Sequence, residues 1–120
     1  MDLLEVFKDS EDIVKFPAGA VIIREGDEGN QMYVVLKGEV VISLKNRILA
    51  NSLPGEIVGE MALINSEIRS ATVTAKTDCE LALIDQSSFK SLLQYVPEFS
   101  QHIMNVLATR LQAAYEMIEK

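Results

Sequence analysis

Short runs of alternating apolar and polar residues fill most of the chain before residue 86. The runs DIVKF, AVIIRE, MYVVLKG, EVVISLK, RILANS, ATVTA and CELALID are rich in valine and isoleucine, and the turn sequences PAG, GDEGN, KG, KN and PGE separate them. Strands at a spacing of about ten residues are typical of an antiparallel sandwich or a closed roll. The pattern predicts seven strands over about residues 12–85, preceded by a short amphipathic helix at residues 2–9.

Helical periodicity replaces this alternation in the last third of the chain. The sequence QSSFKSLLQYV predicts a helix over about residues 86–95, with Asp85 or Ser87 as its N-cap. Pro97 ends this helix and lies in the first turn of a longer one, over about residues 98–119.

The long helix carries more apolar surface than a single packing contact requires. One apolar seam follows the spacing of a coiled coil and consists of Met104, Leu107, Leu111, Ala114 and Ile118. A second apolar stripe runs beside it and consists of Ile103, Val106, Ala113 and Met117. Two interpretations stay open: a helix packed only on its own roll, or a helix that also contacts a partner. We expect the second, with the helix forming a homodimer.

Length, composition and charge narrow the class of protein. A chain of 120 residues with 48% hydrophobic and 24% charged residues is typical of one folded domain, here over residues 1–120. The net charge of −7 and the scattered basic residues argue against direct nucleic-acid binding. No apolar run reaches the roughly 18 residues of a membrane helix, and the acidic amino terminus is unlike a leader. Cys79 is interpreted as a buried strand thiol, and a reducing cytoplasm is expected.

Catalytic and metal-binding residues are scarce. His102 is the only histidine and lies in the long predicted helix, where we interpret it as a surface or interface residue. A metal site built on paired histidines is therefore excluded, and a Ser-His-Asp arrangement has a single poorly placed candidate. We expect neither an enzyme nor a bound metal.

The segment GEIVGEMALINSEIRSATV combines features of an anion site. Gly59 permits close approach of a ligand to the backbone, and the short helical turn EMALIN, which begins at Glu60, presents unpaired amides. Nine residues later Arg69 offers a planar fork for two phosphate oxygens, and Ser70 adds a hydroxyl. Taken singly, Arg69 fits a surface salt bridge better than a ligand contact, and Glu60 fits an acid at the start of a helix better. Together they indicate a sugar phosphate or a nucleotide, without distinguishing the two.

Two stretches carry a family resemblance. GEIVGEMALINSEIRSATVTA resembles the phosphate-binding cassette of the cyclic nucleotide-binding domains, a family that includes bacterial catabolite activators and the regulatory subunits of cAMP-dependent protein kinase. IIREGDEGNQMYVVLKGEVVIS is similar to the strand–turn–strand of the same family, with Gly26, Asp27 and Gly38 in the expected order. The resemblance runs from about Asp12 to the last helix. It implies an eight-stranded antiparallel β-roll, or jelly roll, with flanking helices and a short eighth strand near Ile57.

The resemblance also implies roles for the polar residues of the segment. Gly59 and Glu60 match the positions that hold the ribose 2′-hydroxyl of the nucleotide. Arg69 matches the arginine that pairs with the cyclic phosphate, and Ser70 a small residue that supports it. Ala71 completes this part of the predicted ligand-binding set.

Apolar neighbours are implicated in the same way. Met61, Ala62 and Leu63 match the short helix of the cassette, and Leu63 is the expected contact to the final helices. Val58 and Val73 match the positions that flank the purine.

The resemblance is weaker at the base. The bacterial activators place two neighbouring hydroxyl residues against adenine, where this chain has Ala114 and Tyr115. Tyr115 is able to stack on a purine or to cap it with its hydroxyl. The predicted ligand is cAMP, with cGMP as a possibility.

The expected function is that of a stand-alone regulatory domain. In it the ligand repositions the last helix and signals to an effector protein that the sequence does not identify. The helix-turn-helix DNA reader of the transcription-factor relatives is not expected after Lys120. The alternative is a β-roll that has lost its ligand and acts as a scaffold for protein–protein interaction.

Overall fold

The computed structural model describes residues 1–64 and 68–119. The chain divides into two compact units, a β unit at Asp2–Gln86 and a helical unit that begins at Ser87 and includes Met1. That residues 1–120 form a single domain stays a prediction.

Eight strands form the β unit in the described residues. Its elements are α1 (Leu3–Phe7), β1 (Ile13–Phe16), β2 (Val21–Ile23), β3 (Met32–Lys37), β4 (Val40–Leu44), β5 (Arg47–Ser52), β6 (Ile57–Val58), α2 (Met61–Ile64), β7 (Thr72–Ala75) and β8 (Cys79–Ile84). Two four-stranded sheets have the orders β1-β8-β3-β6 and β2-β7-β4-β5, and all their pairings are antiparallel. The predicted mainly β roll is confirmed.

The core of the β unit draws on both sheets. Its fully buried cluster consists of Ile23, Tyr33, Val35, Val40, Val58, Val73, Ala75, Cys79 and Leu81. Strand β3 supplies two of these residues, and its alternate residues Met32 and Val34 are also fully buried. Because successive strand residues face opposite sides, β3 is covered on both faces, and α1 lies against it. The predicted buried thiol of Cys79 is confirmed.

A two-residue turn joins β4 to β5. Lys45 and Asn46 have φ angles of 49° and 66°, and Leu44 pairs with Arg47 across the turn. Positive φ at both central positions is the geometry of a type I′ hairpin turn, which matches the twist of the strands. The carboxylate oxygens of Glu25 accept hydrogen bonds from the Lys45 amide at 3.1 and 3.2 Å.

The helical unit contains α3 (Gln86–Tyr95), except for its first residue, and α4 (Pro97–Glu119). Since α3 begins at Gln86, Asp85 occupies the N-cap position and the alternative assignment to Ser87 is wrong. The rings of Phe89 and Phe99 meet edge to face, with their centroids 5.8 Å apart. This contact joins the two helices across the short connection at Val96.

The apolar seam of α4 is largely exposed. Met104, Leu111 and Ile118 have exposed fractions of 58%, 52% and 79%, whereas Ile103 of the second stripe is buried. An exposed apolar row on a helix is the feature expected of an interaction surface. Over the described residues, no helix is both long enough and apolar enough to cross a membrane.

Candidate functional site

The main chain of Arg69 is held against the turn between β2 and β3. Glu28 and Ile68 form an isolated antiparallel bridge, so the two segments run side by side. The Gly26 amide donates to the Arg69 carbonyl at 2.9 Å, and the Arg69 amide donates to the Asp27 carbonyl at 2.8 Å. Contacts with Gly26, Asp27 and Glu28 therefore fix the position of the Arg69 backbone.

The Arg69 guanidinium is held in turn by backbone oxygens. Its Nη1 atom donates to the Gln31 carbonyl at 2.7 Å and to the Gly59 carbonyl at 3.2 Å. Hydrogen bonds from a charged donor are among the stronger ones in proteins, so these two bonds orient the planar group. Glu60 directly follows the carbonyl that accepts from Arg69, and it is only 3% exposed. A cation and a buried carboxyl group thus share one region of the roll.

Gly59 is required at this point for two independent reasons. Its φ is +81°, in the left-handed region that favours glycine. A Cβ atom here would also lie 2.9 Å from Ile23 Cδ1, 3.0 Å from Arg69 Nη1 and 3.2 Å from the Gln31 carbonyl oxygen. The groups that approach Gly59 in the structure are the arginine, Ile23 of β2 and the β2–β3 segment, and the close approach of a ligand stays a prediction.

Burial shifts the pKa values of two side chains at the site, those of Arg69 and Tyr33. Burial lowers the pKa of Arg69 below its ordinary value, and the neighbouring Tyr33 hydroxyl partly offsets the shift. Burial raises the pKa of Tyr33, again with a smaller opposing effect from the Arg69 charge. The guanidinium stays protonated at neutral pH because arginine ordinarily loses its proton only in strongly alkaline solution. A half-buried cation of this kind attracts an anionic group more strongly than an exposed one.

The remaining polar and helical candidates follow Arg69 or Glu60 in the chain. Ser70 is exposed and Ala71 half-buried, and both follow Arg69 directly in the chain. Met61 is exposed and Leu63 half-buried on α2, which also contains Ala62. The predicted polar turn NSE, at residues 65–67, lies outside the described residues.

Two apolar candidates belong to the core of the β unit, and one aromatic candidate belongs to the helical unit. Val58 and Val73 belong to the core cluster, with exposed fractions of 1% and 3%. Tyr115 lies on α4 of the helical unit and is 57% exposed. Contacts of these three side chains with a base stay predictions.

The sequence analysis missed the residues of the β2–β3 segment that shape the arginine site. Gln31 contributes only its carbonyl oxygen, Gly29 lies beside the guanidinium, and Tyr33 contributes a nearby hydroxyl. The part of the sequence that could have indicated these contacts is GDEGNQ, a turn that also belongs to the family motif. A glycine-rich turn in front of a buried strand is a reasonable place to look for close packing around a ligand site.

No group of three or more histidine, cysteine, aspartate or glutamate side chains in the described part of the chain is arranged to hold a metal ion.

The chain belongs to the cyclic nucleotide-binding domain family, whose sequence profile matches residues 13–95. It is similar to the cAMP-activated global transcriptional regulator CRP of Salmonella typhimurium, with 32% identity over 96% of this chain and 58% of that protein. It is also similar to the cAMP-dependent protein kinase regulatory subunit of Schizosaccharomyces pombe, with 40% identity over 71% of this chain and 21% of that protein. The resemblance found in the sequence is confirmed.

The fold is similar to a solved structure of the same family. The crystal structure of the catabolite activator protein of Thermus thermophilus superposes with a TM-score of 0.80 and 30% identity, over 89% of this chain and 53% of that one. This chain thus spans between about one fifth and three fifths of the length of the relatives described here.

Proposed function

We propose that this protein binds a cyclic nucleotide, with cAMP favoured over cGMP, and acts as a regulatory domain. Arg69 pairs with the cyclic phosphate and Glu60 accepts a hydrogen bond from the ribose 2′-hydroxyl. The observation that carries the proposal is the contact between the Arg69 guanidinium and the carbonyl of Gly59, at 3.2 Å, immediately before the buried Glu60. This contact supports the proposal because it puts the guanidinium next to the residue that precedes Glu60.

The chemistry of the site fits a singly charged phosphodiester. A guanidinium offers paired donors in one plane, which match two oxygens of a phosphate. Because Arg69 is half-buried, the ion pair with a phosphate is screened less by water than a surface pair. Ser70 is exposed directly beside Arg69 and supplies a further hydroxyl donor. Two of the similar proteins are named as activated by or dependent on cAMP, which favours that nucleotide.

Regulation requires the ligand to favour one arrangement of the helices over another. In this proposal the nucleotide, bound to the β unit through Arg69, also contacts Tyr115 of α4, and the helix changes position as it closes over the base. A ligand that binds both arrangements equally shifts neither, so the affinity must differ between them. The exposed seam of α4 forms a homodimer contact, and an effector protein reads its position. We expect this signalling to take place in the cytoplasm, without catalysis.

The expected affinity follows from the size of the ligand. A cyclic nucleotide of about 22 non-hydrogen atoms, at ~0.3 kcal/mol for each, binds with about −7 kcal/mol, or a Kd near ~10 µM. Isothermal titration calorimetry with cAMP and cGMP tests this directly. Adenosine and linear 5′-AMP in the same series separate the contribution of the cyclic phosphate from that of the base. No heat from either cyclic nucleotide at about 100 µM protein would favour the scaffold alternative.

The role of Arg69 is tested by the substitution Arg69→Ala. Loss of a charge-assisted contact in a half-buried site is expected to weaken cAMP binding by ~2 kcal/mol, or about 30-fold. Arg47→Ala is the matched control, because Arg47 is an exposed arginine of β5 and its removal changes the net charge equally. An Arg69→Ala protein that binds cAMP as tightly as the Arg47→Ala protein would show that the arginine does not hold the phosphate.

A further inference from the structure

Strand β5 has an open outer edge and exposed residues on both of its faces. It lies at the end of the sheet β2-β7-β4-β5, so β4 is its only neighbouring strand in the described part of the chain. Every residue from Leu44 to Asn51 is exposed. Ile48 and Leu49 have exposed fractions of 70% and 43%, which are high for large apolar side chains in a strand. Neither face of β5 is therefore covered before the buried Ser52.

The other edge strands of the two sheets, among the described residues, are shorter than β5. Strands β2 and β6 have three and two residues, and β1 has four, with the exposed Lys15 among them. Short edge strands and edge lysines protect a sheet from pairing with another chain. Strand β5 has six residues, and those from Ile48 to Ser52 are uncharged. The register shift opposite Leu49 interrupts the pairing with β4 and leaves the outer edge open. Strand β5 is therefore the edge that best fits an added strand.

The end of β5 that follows the hairpin turn is positively charged. Residues 40–55 contain Lys45 and Arg47 and no acidic residue, in a chain whose net charge is −7. Among the described residues, neither of these two side chains takes part in an ion pair. The turn itself is held in place, because the Glu25 carboxylate accepts hydrogen bonds from the Lys45 amide at 3.1 and 3.2 Å. Two positive charges thus stand directly before an exposed apolar strand.

We propose that β5 and its hairpin turn form a docking site for an extended acidic segment of a partner protein, which adds to the outer edge of β5 as an antiparallel strand. Main-chain hydrogen bonds hold the segment, and its apolar side chains cover Ile48 and Leu49. Acidic side chains near one end of the segment pair with Lys45 and Arg47. The antiparallel direction is that of every other pairing in this sheet, and it puts the carboxyl end of the segment beside Arg47. The site belongs to the β unit alone and does not depend on a nucleotide.

Other occupants fit the same observations less well. A second copy of β5 has no acidic residue to place beside Lys45 or Arg47, because residues 40–55 contain none. A nucleic acid is bound by a row of basic residues, and an anionic membrane repels a chain whose net charge is −7. An open strand edge offers alternating N–H donors and C=O acceptors, and another extended backbone matches both.

Titration of the ¹⁵N-labelled protein with a defined peptide tests the docking site. The probe is the peptide Thr-Val-Thr-Val-Glu-Glu with blocked ends, added to about 1 mM. We expect it to shift the amide signals of residues 47–51 and to slow hydrogen exchange at those amides that face the outer edge. Two matched peptides separate the contributions: one has lysine in place of both glutamates, and the other carries N-methyl groups on its uncharged residues. Both should bind about tenfold more weakly or not at all, because the first lacks the negative charges and the second lacks the backbone donors.

Matched variants locate the binding on β5. Arg47→Glu should weaken binding of the acidic peptide by about fivefold or more, since an exposed ion pair contributes up to this factor and the reversed charge repels the peptide. Ile48→Thr keeps a β-branched residue in the strand, removes an apolar contact and should also weaken binding. Lys15→Glu is the control, because it changes the net charge as much as Arg47→Glu does, at an exposed position of another edge strand.

Several results would overturn this assignment. The acidic peptide might as well be absent if no amide of residues 47–51 responds to it at about 1 mM, and the docking site is then refuted. Equal affinity for the acidic and the N-methylated peptide would exclude strand addition, and equal affinity of Arg47→Glu and Lys15→Glu would exclude the charge contact. Self-association of the wild type that Ile48→Thr abolishes in sedimentation velocity would make a second copy the occupant. Binding to phosphatidylserine vesicles that Arg47→Glu abolishes, without binding of the peptide, would make it a membrane. None of these measurements uses a nucleotide, so they are decided separately from cAMP binding.

Discussion

Replacing Thr72 by valine is expected to loosen the segment that carries Arg69. Thr72 is the first residue of β7, and its Oγ1 atom accepts a hydrogen bond from the Glu25 amide at 3.1 Å. The same hydroxyl donates to Glu25 Oε1 at 3.0 Å. Glu25 precedes Gly26, whose amide donates to the Arg69 carbonyl. Valine keeps the shape and the strand preference of threonine and removes both of these hydrogen bonds.

The size of the effect follows from the two lost bonds. A neutral hydrogen bond contributes about 1 kcal/mol and one to a carboxylate about 1.5–3 kcal/mol. Thr72 and Glu25 are half-buried, so water replaces part of this energy, and we expect a loss of ~2 kcal/mol in the free energy of unfolding. For a protein of this length the loss corresponds to a Tm lower by ~8 °C.

Urea unfolding and amide hydrogen exchange measure the two consequences. The amides of Gly26 and Arg69 should lose protection in Thr72→Val, because the segments that they join are less firmly held. Thr74→Val is the matched control: it lies in the same strand, and its hydroxyl makes no side-chain hydrogen bond among the interactions of the described residues. Equal unfolding free energies for Thr72→Val and Thr74→Val, with unchanged exchange at Gly26 and Arg69, would refute this reasoning.

Two further predictions concern Tyr33 and α4. Burial raises the pKa of Tyr33 in the folded state, so the unfolded chain loses the phenolic proton at lower pH than the folded chain does. Tyr33 therefore makes its full contribution to the free energy of unfolding below pH 10.0, and this contribution falls as the pH rises further. The difference in unfolding free energy between wild type and Tyr33→Phe should therefore be constant from neutral pH to about pH 9 and decline above about pH 10. A difference that stays constant up to about pH 11 would contradict the raised pKa of Tyr33. Leu111→Glu places a charge on the exposed seam of α4 and should convert a homodimer to monomers in sedimentation velocity at tens of micromolar protein, with Gln112→Glu as the equally charged control. A wild-type chain that is monomeric with and without cAMP would contradict the dimer.

The strands and turns of the β unit were predictable because their determinants are local. Alternating side chains define a half-buried strand, and the KN sequence supplies the two residues that adopt positive φ between β4 and β5. The long apolar run in MYVVLKG also predicted a strand, and β3 is indeed buried on both faces. Helix ends were less certain, since Asp85 and Ser87 are both acceptable caps and only the observed start of α3 at Gln86 selects the first.

The sequence by itself determined which residues have the chemistry to bind a phosphate and a ribose hydroxyl, because arginine and glutamate in a family motif are recognisable as residue types. Only the tertiary structure decided how Arg69 is held. The Gln31 carbonyl that accepts from it is 38 residues away in the chain, and the guanidinium packs where a Cβ atom at Gly29 would lie. A backbone oxygen is common to every residue type, and close packing of this kind exists only once the segments around it have folded. Neither therefore leaves a specific signal in the order of the amino acids.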